Sequence, residues 1–126
     1  MDEQVRRALR HGQTIDITTT GRQSGAPRRI EIVDHVIDGR IYITGMPRAD
    51  RKRAWLLNLE ADPHMVVHLK GPVVADVPAT ARVITEPTER QALADWVATN
   101  AWRGQDPGAM TAYAPMIEVV PDDLAA

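Results

Sequence analysis

Residues 18–28 read Thr-Thr-Thr-Gly-Arg-Gln-Ser-Gly-Ala-Pro-Arg, a short polar segment between two stretches rich in β-branched residues. Gly21 and Gly25 allow positive φ, so this segment is predicted to be a turn between two strands. The backbone amides of the two glycines are expected to point outward together. Arg22 and Arg28 add planar donor groups that suit phosphate and carboxylate oxygens. We call residues 21–28 the basic turn. Its composition indicates an anion-binding site, and the alternative is a solvated glycine-rich turn that happens to be basic.

The chain on both sides of the basic turn has the pattern of β-strands. Residues 14–20 are rich in isoleucine and threonine, which favours a strand. After the turn, apolar and charged residues alternate, and the slip of this alternation near Val33 predicts a bulge or a twist. Asp38-Gly39 is typical of a two-residue hairpin, with residues 41–44 as the partner strand. The first third of the chain is therefore predicted to be a three-stranded meander.

The rest of the chain predicts two helices and three further strands, with a bend or an edge position at Pro78. The first helix is expected to run from Asp50, as N-cap, to about residue 60, and strands are expected over residues 65–69 and 73–85. The second helix should begin at Pro87, and its buried side chains should be Leu93, Trp96, Val97 and Ala101. A polar loop over residues 103–108 and a last strand over residues 116–120 should follow.

Together these elements predict a mainly β (α+β) fold of about six strands, a small barrel with one mid-chain helix and one late helix. The chain of 126 residues is expected to form one domain. We divide it into an N-terminal helix or arm over residues 1–13, a single barrel domain over residues 14–121, and a flexible tail over residues 122–126.

The composition excludes several classes of function. The chain has no cysteine, which excludes disulfides, thiolate metal sites and cysteine nucleophiles. Its net charge is −2 and it has no phenylalanine, which argues against nucleic acid as a partner. It contains no signal peptide and no run long enough to be an integral membrane segment, so a cytoplasmic protein is expected. Membrane association through the short N-terminal arm is left open.

Two further groups of residues were weighed as sites. His64 and His68 fall in a predicted strand without acidic partners at ligand spacing, so we expect exposed histidines rather than a metal site. The cluster of Arg48, Arg51, Lys52 and Arg53 lies before or at the start of the mid-chain helix, where it is either a solvated face or an anion site. If both basic segments share one rim of the barrel, they suit an elongated, multiply charged ligand.

The sequence contains no nucleophile elbow, P-loop or dinucleotide-binding fingerprint. It also offers no acid or base with a recognisable catalytic spacing. These observations favour a function in which a cofactor performs the chemistry while the protein binds and orients it.

Three segments of the chain resemble the deazaflavin-dependent nitroreductase family, the actinobacterial split β-barrel oxidoreductases that use coenzyme F-420. They are residues 18–28, Asp-Gly-Arg-Ile-Tyr-Ile at residues 38–43, and Trp-x-x-Asn-Leu-x-Ala-x-Pro at residues 55–63. The resemblance covers about residues 14–120 in the same order. It implies a six-stranded split barrel related to the FMN-binding flavin reductase barrels.

The resemblance also implies hydride transfer from the reduced deazaflavin to a small-molecule acceptor, which is a quinone, a nitro compound or another electrophile. In the family the basic turn holds the cofactor's phosphate and acidic tail, and the end of the third strand with the following loop lies along the ring. Asn58 matches a family asparagine with a structural or a cofactor role. Carried over to this chain, the tail site is Arg22, Gln23, Ser24, Gly25 and Arg28, the ring site is Ile43, Thr44, Gly45 and Met46, and Arg48 of the basic cluster joins the cofactor-binding set.

Two alternatives stay open at this stage. One is an FMN-type split-barrel flavoprotein, which would carry a yellow chromophore after purification. The other is a non-catalytic barrel that binds a fatty acid or another apolar ligand. The valine and isoleucine content of residues 64–70 and 73–85 additionally predicts a homodimer.

Overall fold

The structure is a computed structural model that describes residues 1–125. Every strand that the sequence predicts is present, with ends shifted by at most a few residues. The strands are β1 Thr14–Thr20, β2 Pro27–Ile37, β3 Arg40–Thr44, β4 His64–Lys70, β5 Val74–Val83 and β6 Met116–Pro121.

The six strands form a closed antiparallel barrel in the order β1-β2-β3-β6-β5-β4, and β4 pairs with β1 to close it. The slip in alternation near Val33 marks a change of partner rather than a separate break in the strand. Residues of β2 up to Val33 pair with β1, and pairing with β3 begins at Asp34. Pro78 lies where β5 pairs only with β4, because pairing with β6 begins at Ala79. A missing amide hydrogen is tolerated at such an edge position.

The helices of the described residues differ from the prediction in number and in boundaries. Pro107 and the capping carboxylate of Asp106 open a second late helix where the sequence analysis expected only a polar loop. A short C-terminal helix lies where a flexible tail was predicted, and residue 126 lies outside the described residues. The helices are α1 Glu3–Ala8, α2 Ala54–Ala61, α3 Pro87–Asn100, α4 Pro107–Tyr113 and α5 Asp122–Ala125.

The predicted start of the mid-chain helix at Asp50 is wrong. Helix α2 begins after Arg53, which makes no side-chain capping hydrogen bond. Asp50 instead pairs with Arg48 at 3.0 Å, and the hydrogen bond from this guanidinium lowers the pKa of the Asp50 carboxyl. In contrast, the Pro87 start of α3 is confirmed, and the Glu86 carboxylate accepts hydrogen bonds from the amides of Thr88 and Glu89.

Two hydrophobic clusters hold the fold together. The barrel interior is filled by close-packed side chains such as Ile15, Ile17 and Leu69, which is the usual filling of a small six- to eight-stranded barrel. The second cluster lies outside the barrel, where α3 and α4 cover β3 and β6. Leu93, Ala94 and Val97 form the buried stripe of α3, whereas the predicted Trp96 is half-buried and Ala101 is exposed.

Two adjacent titratable residues are buried where β2 changes partner. The Asp34 carboxylate accepts a 2.7 Å hydrogen bond from the Gln13 amide, and burial raises the pKa of Asp34 to about 6. His35 lies on the opposite face of the strand, with the ring centroids of Trp102 and Trp96 at 5.2 and 6.0 Å. Burial lowers the pKa of His35. The histidine therefore packs as a neutral ring that joins the barrel to α3 and the segment after it.

Candidate active site

The basic turn is closed by its own backbone hydrogen bonds. The Gly21 amide donates to the Ala26 carbonyl and the Gly25 amide donates to the Gly21 carbonyl, both at 2.8 Å. The expectation that these two amides point outward together is therefore wrong. Gly25 adopts φ of 70°, and a Cβ at Gly21 would lie 2.8 Å from the Ser24 hydroxyl. The glycines thus shape the turn, while the side chains supply its anion-binding groups.

Arg22 and Arg28 are the free cations of this turn. Both are exposed, and among residues 1–125 neither forms an ion pair with a carboxylate. Arg28 lies opposite Thr19 in the β1–β2 register, so its side chain points to the inner face at the barrel rim. Arg29 points to the outer face and is neutralised by Asp16 at 3.0 Å. The turn therefore directs uncompensated positive charge to one side only.

Asn58 of α2 anchors the basic turn to the barrel. Its Oδ1 accepts a hydrogen bond from the Arg22 amide at 3.1 Å, and its Nδ2 donates to the Thr19 hydroxyl at 3.1 Å. Asn58 is only 5% exposed. Because both ends of its amide are used within the protein, the structure supports a positioning role and leaves little capacity for a direct bond to a ligand.

We expect Asn58→Ala to lower the free energy of unfolding by about 1–3 kcal/mol, because the Thr19 hydroxyl and the Arg22 amide lose their partner. The same substitution should weaken coenzyme F-420 binding, since the turn loses its attachment to α2. Urea unfolding and a fluorescence titration measure the two effects. Asn100→Ala is the control, because Asn100 is an exposed residue that donates only to the Trp96 carbonyl. Equal behaviour of the two variants would contradict the anchoring role.

A cavity of about 340 Å³ opens between the basic turn and α2, and we call it the turn cavity. Its walls carry positive charge from the turn and apolar surface from Ile30 and Trp55. Thr19 lies at its base, a residue that the sequence analysis did not single out. The alternation in β1, which places Ile15, Ile17 and Thr19 on one face, was the signal that pointed to it.

A second cavity, of about 450 Å³, lies on the other side of α2, and we call it the loop cavity. The basic loop, residues 46–53, forms one wall, and Tyr113 at the end of α4 forms another. Helix α2 lines the turn cavity with Ala54, Trp55 and Asn58 and the loop cavity with Leu56 and Glu60. The two cavities therefore flank the start of α2. This arrangement suits an elongated ligand, as expected if both basic segments share one rim.

The four residues that the resemblance assigns to the ring site differ in how accessible they are to a ligand. Ile43 is 0% exposed inside the barrel and Thr44 is 1% exposed, with a buried hydroxyl that lacks a hydrogen-bond partner among the described residues. Gly45 packs against Pro115, since a Cβ there would lie 2.8 Å from the Pro115 Cγ. Met46, 43% exposed, lines the loop cavity. Direct ring contact is thus open to Met46 in this conformation, and for the other three it stays a prediction.

Each of the two histidines contacts a carboxylate of its own in the structure. His68 is buried, which corrects the expectation of an exposed side chain. Its ring contacts the Thr18 hydroxyl at 2.6 Å and the Asp76 carboxylate at 2.7 Å. His64 is exposed and bonds to Asp62 at 2.8 Å. Within the described part of the chain, no group of three or more histidine, aspartate or glutamate side chains is arranged to hold a metal ion.

The fold places the chain in the class of split-barrel proteins. It is similar to a structure described as an F420 reductase, with a TM-score of 0.70, 20% identity, and coverage of 96% of this chain and 95% of the other. A conserved hypothetical protein from Mycobacterium tuberculosis is similar at a TM-score of 0.70 and 19% identity, with coverage of 97% and 81%. A structure described as a domain-swapped dimer is similar at 0.60 and 23%, with coverage of 93% and 94%.

The sequence matches the family model of the F420H(2)-dependent quinone reductases over residues 2–116, and the chain belongs to that family. It is therefore an oxidoreductase, a reductase whose cofactor is coenzyme F-420. The six-stranded split barrel implied by the resemblance is confirmed. Among curated proteins, none matches the sequence. No helix of the described residues is long and apolar enough to cross a membrane.

Proposed function

We propose that this reductase transfers a hydride to a quinone, a nitro compound or a similar electrophile, with the cofactor's acidic tail in the turn cavity and its ring in the loop cavity. The observation that carries the proposal is the pair of uncompensated arginines, Arg22 and Arg28, on the turn cavity. Phosphate and carboxylate oxygens are the natural partners of such guanidinium groups. The cofactor needs several of these contacts, and the residues present fit it.

In this arrangement the protein binds and orients the reactants. When bound, the reduced deazaflavin supplies the hydride. Arg22 and Arg28 hold the tail, while the Asn58 amide keeps the turn at a fixed distance from α2. Met46, Leu56 and the other apolar side chains of the loop cavity exclude water from the acceptor. Such positioning lowers the barrier by holding the reacting atoms at contact distance rather than by proton transfer from a side chain.

Parallel titrations with coenzyme F-420 and FMN test this proposal. Trp55 lines the turn cavity, so its fluorescence reports binding. We expect micromolar or tighter binding of F-420 and much weaker binding of FMN, followed by turnover with quinones or nitro compounds. Tight binding of FMN alone, or of neither ligand, would contradict the placement of the tail.

The packed barrel interior weighs against the apolar-ligand alternative. Ile17, Ile43 and Val67 are at most 1% exposed there, so an acyl chain finds no space between the strands. Binding of a fatty acid would therefore require the core to open, at a cost of several close-packed contacts.

A homodimer, a cytoplasmic location with membrane association left open, and an actinobacterial origin stay predictions. The similarity to a structure described as a domain-swapped dimer supports the first of them. Sedimentation of the purified protein distinguishes a monomer of 13.9 kDa from a dimer.

A further inference from the structure

The positive charges of the loop cavity are only partly neutralised. Arg48 pairs with Asp50 at 3.0 Å, and Lys52 pairs with Glu60 at 3.1 Å. Three more arginines line the same cavity and form no ion pair with any carboxylate of residues 1–125. They are Arg51, Arg53 and Arg90.

Arg90 is the most constrained of the three. Its half-buried guanidinium donates hydrogen bonds to the carbonyls of Ile84 at 3.0 Å, Thr111 at 2.9 Å and Ala114 at 2.7 Å. A guanidinium has five N–H groups, so these bonds leave two of them for another acceptor. Burial without a compensating carboxylate lowers the pKa of Arg90. An anion in the cavity would supply the missing counter-charge.

Arg53 is the second cation that the structure holds in place. One of its terminal nitrogens donates to the Met46 carbonyl at 3.2 Å, which fixes the side chain across the basic loop. The remaining N–H groups of the guanidinium stay available to a ligand. Arg53 and Arg90 therefore present fixed donors to the same cavity, Arg53 from the residue before α2 and Arg90 from α3.

The surface next to these cations is apolar and suits a flat ring. Leu56 and Pro115 line the cavity, and two further lining residues offer exposed apolar surface, Met46 at 43% and Tyr113 at 54%. A volume of about 450 Å³ is within the range of small-molecule sites. Apolar surface beside fixed cations is complementary to an aromatic or quinonoid compound that carries an acid group.

We propose that the hydride acceptor of this reductase is a planar electrophile bearing a carboxylate, sulfonate or phosphate group, which Arg53 and Arg90 bind. The inference rests on the proposed function in placing the acceptor in the loop cavity. For a quinone, a C–H bond of the reduced cofactor breaks and its hydride, with both electrons, forms a new C–H or O–H bond on the acceptor, while a π electron pair of the quinone moves onto a carbonyl oxygen. A proton from solvent then completes the hydroquinone, while the cofactor is oxidised.

The test compares two matched ligands, a naphthoquinone with a carboxymethyl side chain and its neutral carboxamide. Calorimetric titration of the full chain without cofactor should give about ten- to a hundredfold tighter binding of the acid, as expected for charge-assisted hydrogen bonds. With reduced coenzyme F-420 as donor, the acid should have the lower KM at a similar kcat. Raised salt should reduce the preference.

Variants assign the preference to the two cations. Arg53→Gln should remove most of it, and Arg90→Lys, which keeps the charge but loses the planar donor group, should reduce it. Arg10→Gln is the matched control, because Arg10 is exposed in the segment after α1 and lies outside the lining of both cavities. Circular dichroism checks that each variant is folded. If Arg90→Lys does not fold, Arg53→Gln alone provides the test.

Equal affinity of the wild type for acid and amide would overturn the proposal. It would also be overturned if Arg53→Gln weakened coenzyme F-420 binding and left the acid preference intact, because the cations would then serve the cofactor. Failure of the proposed function is a separate result. In that case F-420 does not bind, while the two naphthoquinones can still be compared by direct titration.

Discussion

Arg28→Ala is expected to weaken coenzyme F-420 binding by about 10- to 100-fold, the loss typical of one charge-assisted hydrogen bond in a partly buried site. Arg28 is the cation best placed for the tail. It lies on the inner face of the rim opposite Thr19, and its Nη2 is 3.5 Å from the Ser24 hydroxyl. The fluorescence titration of Trp55 measures the change.

Arg29→Ala is the matched control, because it removes the same charge from the neighbouring residue. Arg29 faces the outer side of the barrel and pairs with Asp16, which keeps Lys70 as a second partner at 2.8 Å. We expect the affinity of Arg29→Ala to stay within about twofold of the wild type, since only the long-range field changes. Equal losses in the two variants would show that net charge, rather than the geometry of the turn, governs binding.

Arg28→Lys separates charge from shape in the same experiment. Lysine keeps the positive charge but lacks the planar pair of donors that matches a phosphate or a carboxylate. An affinity between those of the wild type and the alanine variant is expected. Full recovery by lysine would mean that the tail is held by charge alone.

Local patterns in the sequence were enough to predict most strands of the barrel. The hairpin at Asp38-Gly39 was predictable because both residues take positive φ, 53° and 78°, which this dipeptide tolerates better than most. The β-branched content of residues 14–20 predicted β1 with the bounds that the structure has. The resemblance to a family then added the split-barrel architecture and the cofactor, which residue patterns alone do not define.

Features that depend on contacts distant in sequence were not predictable. His68 is buried, and one of its hydrogen-bond partners, Thr18, lies fifty positions away. The start of helix α2 at Ala54 was missed for a local reason, since Asp50 pairs with its near neighbour Arg48 and does not cap the helix. Arg90 lies in the first turn of the helix that was predicted to begin at Pro87. No local signal in the sequence shows that its side chain reaches the carbonyl of Ala114.

The same limit applied to the basic turn. Its composition predicted an anion site, but not that the amides of Gly21 and Gly25 would be used to close the turn. The sequence identified Asn58 only as the match to a family asparagine, and it did not show that Asn58 attaches the turn to α2. The charge of the turn could thus be predicted from its composition, whereas the direction of each hydrogen-bond donor could be determined only from the structure.

Glu118→Ala is expected to lower the free energy of unfolding by about 1–3 kcal/mol, as measured by urea unfolding. The Glu118 side chain, 8% exposed, lies on β6 beneath α3 and accepts hydrogen bonds from Arg40 at 2.9 Å and Arg82 at 3.0 Å. Arg82 in turn pairs with Glu89 of α3. Removal of the carboxylate breaks its hydrogen bonds to both guanidinium groups, but Arg40 is well exposed and Arg82 keeps Glu89, so water and the remaining ion pair offset part of the loss.

Glu31→Ala is the control, because Glu31 is an exposed carboxylate that pairs with Lys70 at the barrel surface. A surface ion pair of this kind contributes less than about 1 kcal/mol. Glu118→Gln keeps the shape and one acceptor, so its stability should lie between the wild type and the alanine variant. A Glu118→Ala variant as stable as Glu31→Ala would show that water replaces the lost carboxylate.

The position of this network links stability to the loop cavity. Glu118 joins β3 and β5 through Arg40 and Arg82, and Glu89 extends the connection to α3, the helix that carries Arg90. Loosening α3 should disturb the cavity wall that Arg90 and Tyr113 form, while the basic turn, held by Asn58 on the other side of α2, keeps its geometry. We therefore expect Glu118→Ala to raise the KM for the acceptor more than the Kd for coenzyme F-420, because the cofactor's tail stays held in the turn cavity. A larger effect on F-420 binding would contradict that placement of the tail.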